Sequence, residues 1–333
     1  MINPTHNDHS VNLAPLVSIV IPVKNGLPAF KHVIDMVSRQ VLDANFEVII
    51  IDSGSKDGSK EIIPSDDPRF RLIEIPSSDF GHGKTRNLGA SEARGEFCAF
   101  LTHDATPINE RWLAELIRPL REDPEVAGVF GRHVAYEAAS PFTRWELETH
   151  FAGLRQWPKV KIEDAREYAR NEGLRQIYHF YSDNSSCLRK LVWQEIPYPD
   201  VDFAEDQLWA KKIVEAGYAK AFAWDSVVAH SHDYSLWERL QRSYDEARAF
   251  RRLFGYRLCG SKTLAFKRAL KTTLRDTCLA IRYGWILRYP LATLKMPLDN
   301  VARQIGHNLG STKSELSTRH VELLSRDKQM QAK

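Results

Sequence analysis

The 333-residue chain holds only four cysteines, Cys98, Cys187, Cys259 and Cys278, and no two of them form a Cys-x-x-Cys pair. That spacing offers no zinc or redox framework, so the four read as small apolar residues for a core. Long hydrophobic runs are missing as well. Nowhere do about 18 uncharged apolar residues follow one another, which is the length a membrane-crossing helix needs. The opening MINPTHNDHSVNLAP is polar and lacks the apolar centre of a secretory signal. The expectation is a cytoplasmic protein with a loose tail over residues 1–15. Acid is scarce in one region: residues 248–295 carry 12 Lys+Arg and a single acid, Asp276. Residues 1–235 hold 26 basic against 35 acidic side chains, whereas 236–333 hold 20 against 8. The bland net charge of +3 therefore hides an acidic body and a basic tail, and such a tail suits an anionic partner.

One missing residue decides a motif. The stretch GHGKT (81–85) resembles the end of a phosphate-binding P-loop, but Ser78 stands where the motif needs its first glycine. An NTP-hydrolysing site is therefore not expected. What is left is a strand-like run, RLIEI, leading into a helix-like run, KTRNLGASEA, and exposed N–H groups at a helix start attract phosphate.

What is present is a rhythm. LVSIVIP (16–22), FEVIIID (46–52), RLIEI (71–75), EFCAFLTHD (96–104) and VAGVFGR (126–132) read as strands. Between them, 27–41, 57–63, 83–94 and 109–122 read as helices, the second with Asp57 as its cap. Alternation of this kind predicts an α/β fold, a mostly parallel sheet with helices on both faces. Ligands in such sheets bind beyond the carboxyl ends of the strands. Residues 133–180 read as irregular, AFAWDSVVA (221–229) as a further strand, and 236–333 as mainly helical. The length suits one large domain over 16–235 and a helical appendage over 236–333.

The strand ends are polar: Pro22-Val23-Lys24-Asn25, Asp52-Ser53-Gly54-Ser55, His82 to Asn87, and His103-Asp104. A parallel sheet brings all four to one edge. Glu205-Asp206 follow at the start of a helix-like run, where acids also favour the helix dipole, and His230-Ser231-His232 follow a strand. If that segment is extended, the two histidines point the same way. Asp52 also reads as a turn former bonded to nearby N–H groups.

These segments resemble the inverting glycosyltransferases of family 2, with the GT-A fold, over about residues 16–235. The resemblance is carried by VSIVIPVKNG, IIIDSGSKDGS, HGKTRNLGA, FLTHDA, AEDQLWAKKIVEAGY and VVAHSHDYS, in order and at the family's spacing. DSGS, HG-x-TRN, GRH, SDNSSCLRK and HSH-x-YS are most similar to bacterial rhamnosyltransferases. Lys84, His133 and His103 stand where those enzymes usually carry Gly, Gln and Gln, which touches the donor sugar more than the reaction class.

The resemblance implies a nucleotide-sugar donor, dTDP-L-rhamnose or another UDP- or dTDP-hexose. It assigns Pro22, Lys24, Asn25, Asp52, Ser53, His82, Gly83, Arg86, Asn87, His103 and Asp104 to the donor, with Arg86 pairing with diphosphate or bracing Asp104. Lys84 either adds charge to that loop or is a solvated helix-start residue. The resemblance implies a divalent cation, Mg²⁺ or Mn²⁺, on Asp104 with His230 or, as runner-up, His232. It makes Asp206 the general base, and it gives Arg132, Asn184 and Glu205 to a glycan or lipid-linked acceptor. Glu205 can also raise the basicity of Asp206 by like-charge repulsion. A catalytically inactive nucleotide- or glycan-binding scaffold is the competing reading.

The basic tail interleaves its cations with Tyr256, Phe266, Tyr283, Trp285, Ile286, Leu287 and Tyr289. A basic, aromatic, partly amphipathic helical region predicts peripheral binding to an anionic membrane surface, on the inner face of the cytoplasmic membrane. A solvated or oligomer-forming face is the alternative. Nucleic acid suits the charge but is not expected.

Overall fold

The computed structural model describes residues 14–312 and 318–326. The tail expected over 1–15 lies outside the described residues except for Ala14 and Pro15. The body opens with β1 (Val17–Val23), α1 (Ala29–Ser38), β2 (Phe46–Asp52), β3 (Phe70–Glu74), α2 (His82–Glu92), β4 (Phe97–Leu101), β5 (Thr106–Pro107), α3 (Trp112–Glu122) and β6 (Val126–Val134). It continues with α4 (Pro141–Leu154), β7 (Lys159–Val160), α5 (Ala165–Arg170), α6 (Glu172–His179), β8 (Ser185–Arg189), α7 (Lys190–Glu195), α8 (Glu205–Glu215) and β9 (Ala219–Ala229). Then come α9 (Leu236–Ala249), a π-helical turn (Phe250–Phe254), α10 (Lys262–Arg282), α11 (Trp285–Arg288), α12 (Pro290–Ser311) and α13 (Thr318–Leu324).

The strands form one sheet in the order β3-β2-β1-β4-β8-β6-β9-β5, with β7 also paired to β9. Every residue of β2 is buried, which is why it reads as an unbroken apolar run: both faces of the sheet are covered. Phe30, Val33, Trp112 and Leu116 from α1 and α3 pack one face. Phe100, Tyr181, Trp209 and Ile213 pack the other. β1, β2, β3 and β4 run parallel, and β6 runs parallel to β9. β8 is antiparallel to both β4 and β6. The carboxyl ends of the parallel strands therefore share an edge with the start of β8.

Three readings need correction. Residues 57–63 form turns, not a helix. Asp57 accepts from Leu27 N at 2.9 Å and from the Ser59 hydroxyl at 2.6 Å, so it ties two loops together. Residues 133–180 are not irregular but contain α4, α5 and α6, capped by Ser140, Asp164 and Asn171. And while Cys98, Cys187 and Cys259 are buried, Cys278 is exposed.

The C-terminal helices lean on the body. α12 approaches α9 so closely that a Cβ on Gly306 would lie 2.3 Å from the Leu240 carbonyl, and one on Gly310 would lie 2.4 Å from that of Tyr244. Glycine is what admits this packing. Arg303 of α12 pairs with Glu146 of α4. His179, at the end of α6, is held between the Tyr168 and Tyr256 hydroxyls at 2.7 and 2.8 Å.

Candidate active site

The loops after β1 and β2 are laced to each other. Asn25 accepts from Lys56 N and its own N–H donates to the Ser55 hydroxyl, both at 2.8 Å. The Ser53 hydroxyl donates to the Val23 carbonyl at 3.2 Å. Asp52 Oδ1 accepts from Gly54 N and Ser55 N at 2.9 Å, a turn-forming arrangement. Its Oδ2 is buried with no hydrogen-bond partner among the described residues. A buried carboxylate oxygen in that state is suited to accept a hydrogen bond from a ligand. Pro22 and Lys24 flank this cradle on β1 and just beyond it, and His103 lies 3.2 Å from where a Cβ on Gly26 would stand.

Beyond β4, Asp104 meets the two histidines beyond β9. His230 Nε2 lies 3.7 Å from Asp104 Oδ1, and His232 Nε2 lies 3.4 Å from Oδ2. One ligand atom from each of the three falls within 4.8 Å of the others. Burial works to raise the Asp104 carboxyl, but the His230, His103 and His232 imidazoles outweigh it and hold it below its ordinary value. Burial pulls His230 down to about 4 and lowers His232 too, so both rings are neutral near pH 7. A carboxylate beside two neutral imidazoles is a donor set that can hold a divalent cation. The Asn184 amide lies 3.3 Å from His230 Nδ1 and orients the ring. His133 is buried beneath it, 5.5 Å from the His230 ring. The Tyr136 hydroxyl donates to the Asp104 carbonyl.

A second cluster stands at the start of α8. Ala204 takes a left-handed conformation (φ 59°), turning the chain so that Glu205 and Asp206 fall in the first helical turn. Arg86 of α2 lies 2.6 Å from Glu205 Oε1 and 3.0 Å from Asp183 Oδ2. The Asp183 N–H donates to Asp206 Oδ2 at 3.3 Å. Asp183 also accepts from the Tyr198 hydroxyl at 2.9 Å. Burial pushes the Asp183 carboxyl up to about 6 against the pull of Arg86. Burial, then the Glu205 and Asp183 charges, push Asp206 well above the ordinary carboxylate range. The Asp183-Asn184 pair therefore touches both clusters: Asp183 the carboxylates, Asn184 the histidines. It sits there because β8 runs backwards and starts at the edge where its neighbours end.

Several sequence expectations change. Arg86 does not brace Asp104; it is buried and spent on Glu205 and Asp183. Asn87 is turned to the 193–198 loop: Oδ1 accepts from Trp193 Nε1 and Tyr198 N, and Nδ2 donates to the Tyr198 carbonyl. Gly83 answers a packing need, since a Cβ there would lie 2.2 Å from the Pro199 carbonyl. Arg132 lies over the Trp224 ring and donates to the Trp224 carbonyl, with no bond to either cluster among the described residues. Glu205 is 6 % exposed and held by Arg86, which leaves it little surface for an acceptor. Lys84 is exposed and pairs with Asp200, as a solvated helix-start residue does. His82 opens α2 with its ring against Phe80, and burial lowers its pKa. Asp183, Tyr198 and Tyr136 had no assigned role in the sequence. The only signal for Asp183 was its place inside SDNSSCLRK.

The sheet order, the reversed β8 and the two clusters at one edge define a glycosyltransferase of the GT-A fold with a helical C-terminal extension. The pattern of the family described as Glycosyl transferase family 2 matches residues 18–194, more than half of the sequence, and the chain belongs to that family. Among similar proteins is the O-antigen chain rhamnosyltransferase RfbN of Salmonella typhimurium, 30% identical over 234 residues, covering 69% of this chain and 70% of that one. The O-antigen chain rhamnosyltransferase WbaN of Salmonella anatum is 29% identical over 235 residues, 69% of this chain and 71% of that one. A mannosyltransferase of Pyrobaculum calidifontis, solved with GDP-Man and Mn²⁺, superposes with a TM-score of 0.58 at 17% identity, covering 90% and 88% of the two chains. At that identity the likeness is one of fold.

Proposed function

We propose that this glycosyltransferase moves L-rhamnose from dTDP-β-L-rhamnose to a growing surface glycan or lipid-linked acceptor, inverting the anomeric centre. The observation that carries this reading is Asp206, a carboxyl with no ion pair among the described residues, beside the Arg86–Glu205–Asp183 group and one residue pair away from the Asp104 cluster. The names of the similar Salmonella proteins support the sugar.

In this reading residues 16–235 do the chemistry and 236–333 form the appendage, which meets the inner face of the cytoplasmic membrane. The loops around Asn25, Asp52 and Ser53 take the nucleoside, with Asp52 Oδ2 as the free acceptor. Asp104, His230 and His232 would hold a divalent cation, which supplies charge neutralisation for the leaving diphosphate. Two imidazoles suit Mn²⁺ better than Mg²⁺, which prefers oxygen. Asp206 removes the proton from the acceptor hydroxyl as its oxygen attacks the face opposite the leaving group. Burial first, then the Glu205 and Asp183 charges, keep that carboxyl basic, and Arg86 offsets part of the acidic charge around it.

The test is transfer by the purified chain from a panel of dTDP-, UDP- and GDP-sugars to lipid-linked and soluble glycans, with and without Mn²⁺. Turnover with dTDP-L-rhamnose alone is expected. Turnover with another hexose moves the donor assignment, and nucleotide binding without turnover on any donor makes the chain a scaffold.

A further inference from the structure

α12 has two unlike faces. Its inner face is small, with Ala302, Gly306 and Gly310 packed on α9. Its outer face carries Leu291, Leu294, Leu298, Val301 and Ile305, all exposed, Leu291 to 82%. At 100° per residue these five fall within an arc of about 80°. The fold already buries the opposite side, and packing among the described residues does not account for this stripe. α10, which packs beside α12, repeats the pattern: Phe266, Leu270, Leu274 and Ile281 are exposed and fall within a similar arc of about 80°. Leu287 stands between the two helices, 89% exposed. Single exposed apolar residues need no explanation, but a contiguous face of this kind does.

The charge around the stripe names its partner. Residues 262–295 contain eight Lys+Arg and one acid, Asp276, which is buried and bonded to Arg275 and Asn300. On α10, Lys267, Lys271, Arg275 and Arg282 occupy the strip directly beside the apolar one. Tyr283 and Trp285 stack at the turn into α11, 5.3 Å apart, where amphipathic rings favour a headgroup layer. A second copy meeting this face about a two-fold axis would set its own cations against themselves. An anionic lipid leaflet complements both the leucines and the cations.

We propose that the paired outer faces of α10 and α12, with Leu287 at their junction, form a membrane-docking surface for anionic lipid. This deepens the membrane reading above by naming the surface. It also places the site: a cavity of about 480 Å³ lined by Tyr234, Arg288, Tyr289, Leu291 and Lys295 lies beside the stripe, and Tyr234 stacks on His232 at 5.5 Å. A docked enzyme holds that cavity next to the leaflet, where a lipid-linked acceptor presents its phosphate.

Co-sedimentation of the full chain with neutral and anionic phospholipid vesicles, at low and high salt, tests the surface without donor or acceptor, so its outcome is separate from that of the transfer assay. Binding to anionic vesicles is expected, at least tenfold weaker at high salt, with a salt-resistant remainder. The combined Leu287→Ser, Leu294→Ser and Leu298→Ser variant, which leaves the cavity lining untouched, loses the remainder; the combined Lys267→Glu, Lys271→Glu and Arg282→Glu variant loses the salt-dependent part. Both variants keep transfer to a soluble acceptor, which confirms that they fold. The proposal is overturned if the intact chain ignores anionic vesicles at low salt, or if neither variant changes binding. It is equally overturned if light scattering finds a dimer that the serine variant dissociates.

Discussion

Arg86 and Glu205, 119 residues apart in sequence, meet at 2.6 Å in the interior, and the same guanidinium reaches Asp183 at 3.0 Å. One cation thus serves two of three neighbouring carboxyls, and Asp206 is the third. The consequence is electrostatic. A carboxyl that is desolvated and faces two acids retains its proton to a higher pH than usual, and so is a stronger base once ionised.

Asp206→Asn is expected to lower transfer by roughly 10²–10⁴-fold while leaving nucleotide affinity unchanged, because the amide keeps the shape and loses the proton acceptor. Titration calorimetry beside steady-state rates measures both. Near wild-type turnover in the variant would remove Asp206 as the base.

The pH profile carries a sign. Only the ionised carboxylate accepts a proton, so activity rises with pH through the Asp206 pKa, which stands above the ordinary carboxylate range. Glu205→Gln removes a like charge and releases Arg86 toward the remaining acids. Both effects lower that pKa, so the acid limb of kcat/KM is expected to move to lower pH. A limb that stays put, or moves up, contradicts the coupling.

Arg86→Met leaves two buried acids without their cation, a change that typically costs about 3–5 kcal/mol. Urea unfolding should show the loss at pH 7, and part of it should return at low pH as Asp183 takes up a proton. A loss confined to nucleotide binding, with stability intact, would return Arg86 to the donor site.

Much of this site was legible along the chain, for a physical reason. Strands buried on both faces, such as FEVIIID, appear as unbroken apolar runs, and a parallel sheet sends their polar ends to one edge. Asp52, Asp104, His230 and His232 could be located that way, whereas Asp206, at the start of a helix, was singled out by the family resemblance. The reversal of β8 could not, because SSCLR is short, polar and without a period, although that reversal is what brings Asp183 and Asn184 to the edge. Nor could the spending of Arg86, Asn87 and Gly83 within the fold, since their partners lie about a hundred residues away.

Asp104→Ala is expected to abolish the enhancement that Mn²⁺ gives to nucleoside-diphosphate binding, and His232→Ala to weaken it. Asn184→Ala, one bond removed from the cation, should lower Mn²⁺ affinity roughly 10–100-fold by freeing the His230 ring. Calorimetry with each variant, with and without Mn²⁺, decides. Equal affinity in every combination would leave the Asp104 cluster without a metal role.

Asn87 separates a role in folding from a role in binding. Its side chain makes three bonds to the 193–198 loop, at 2.8, 3.0 and 2.9 Å, and that loop carries Tyr198, whose hydroxyl holds Asp183. Asn87→Ala leaves the Trp193 indole N–H and the Tyr198 backbone groups without partners, at a cost of about 1–3 kcal/mol for each group that stays buried. The expected result is a lower urea midpoint and a loss of turnover as Asp183 shifts, with nucleotide affinity preserved in the folded fraction. A variant of wild-type stability that no longer binds nucleotide would give Asn87 back to the donor and make its contacts with Tyr198 incidental.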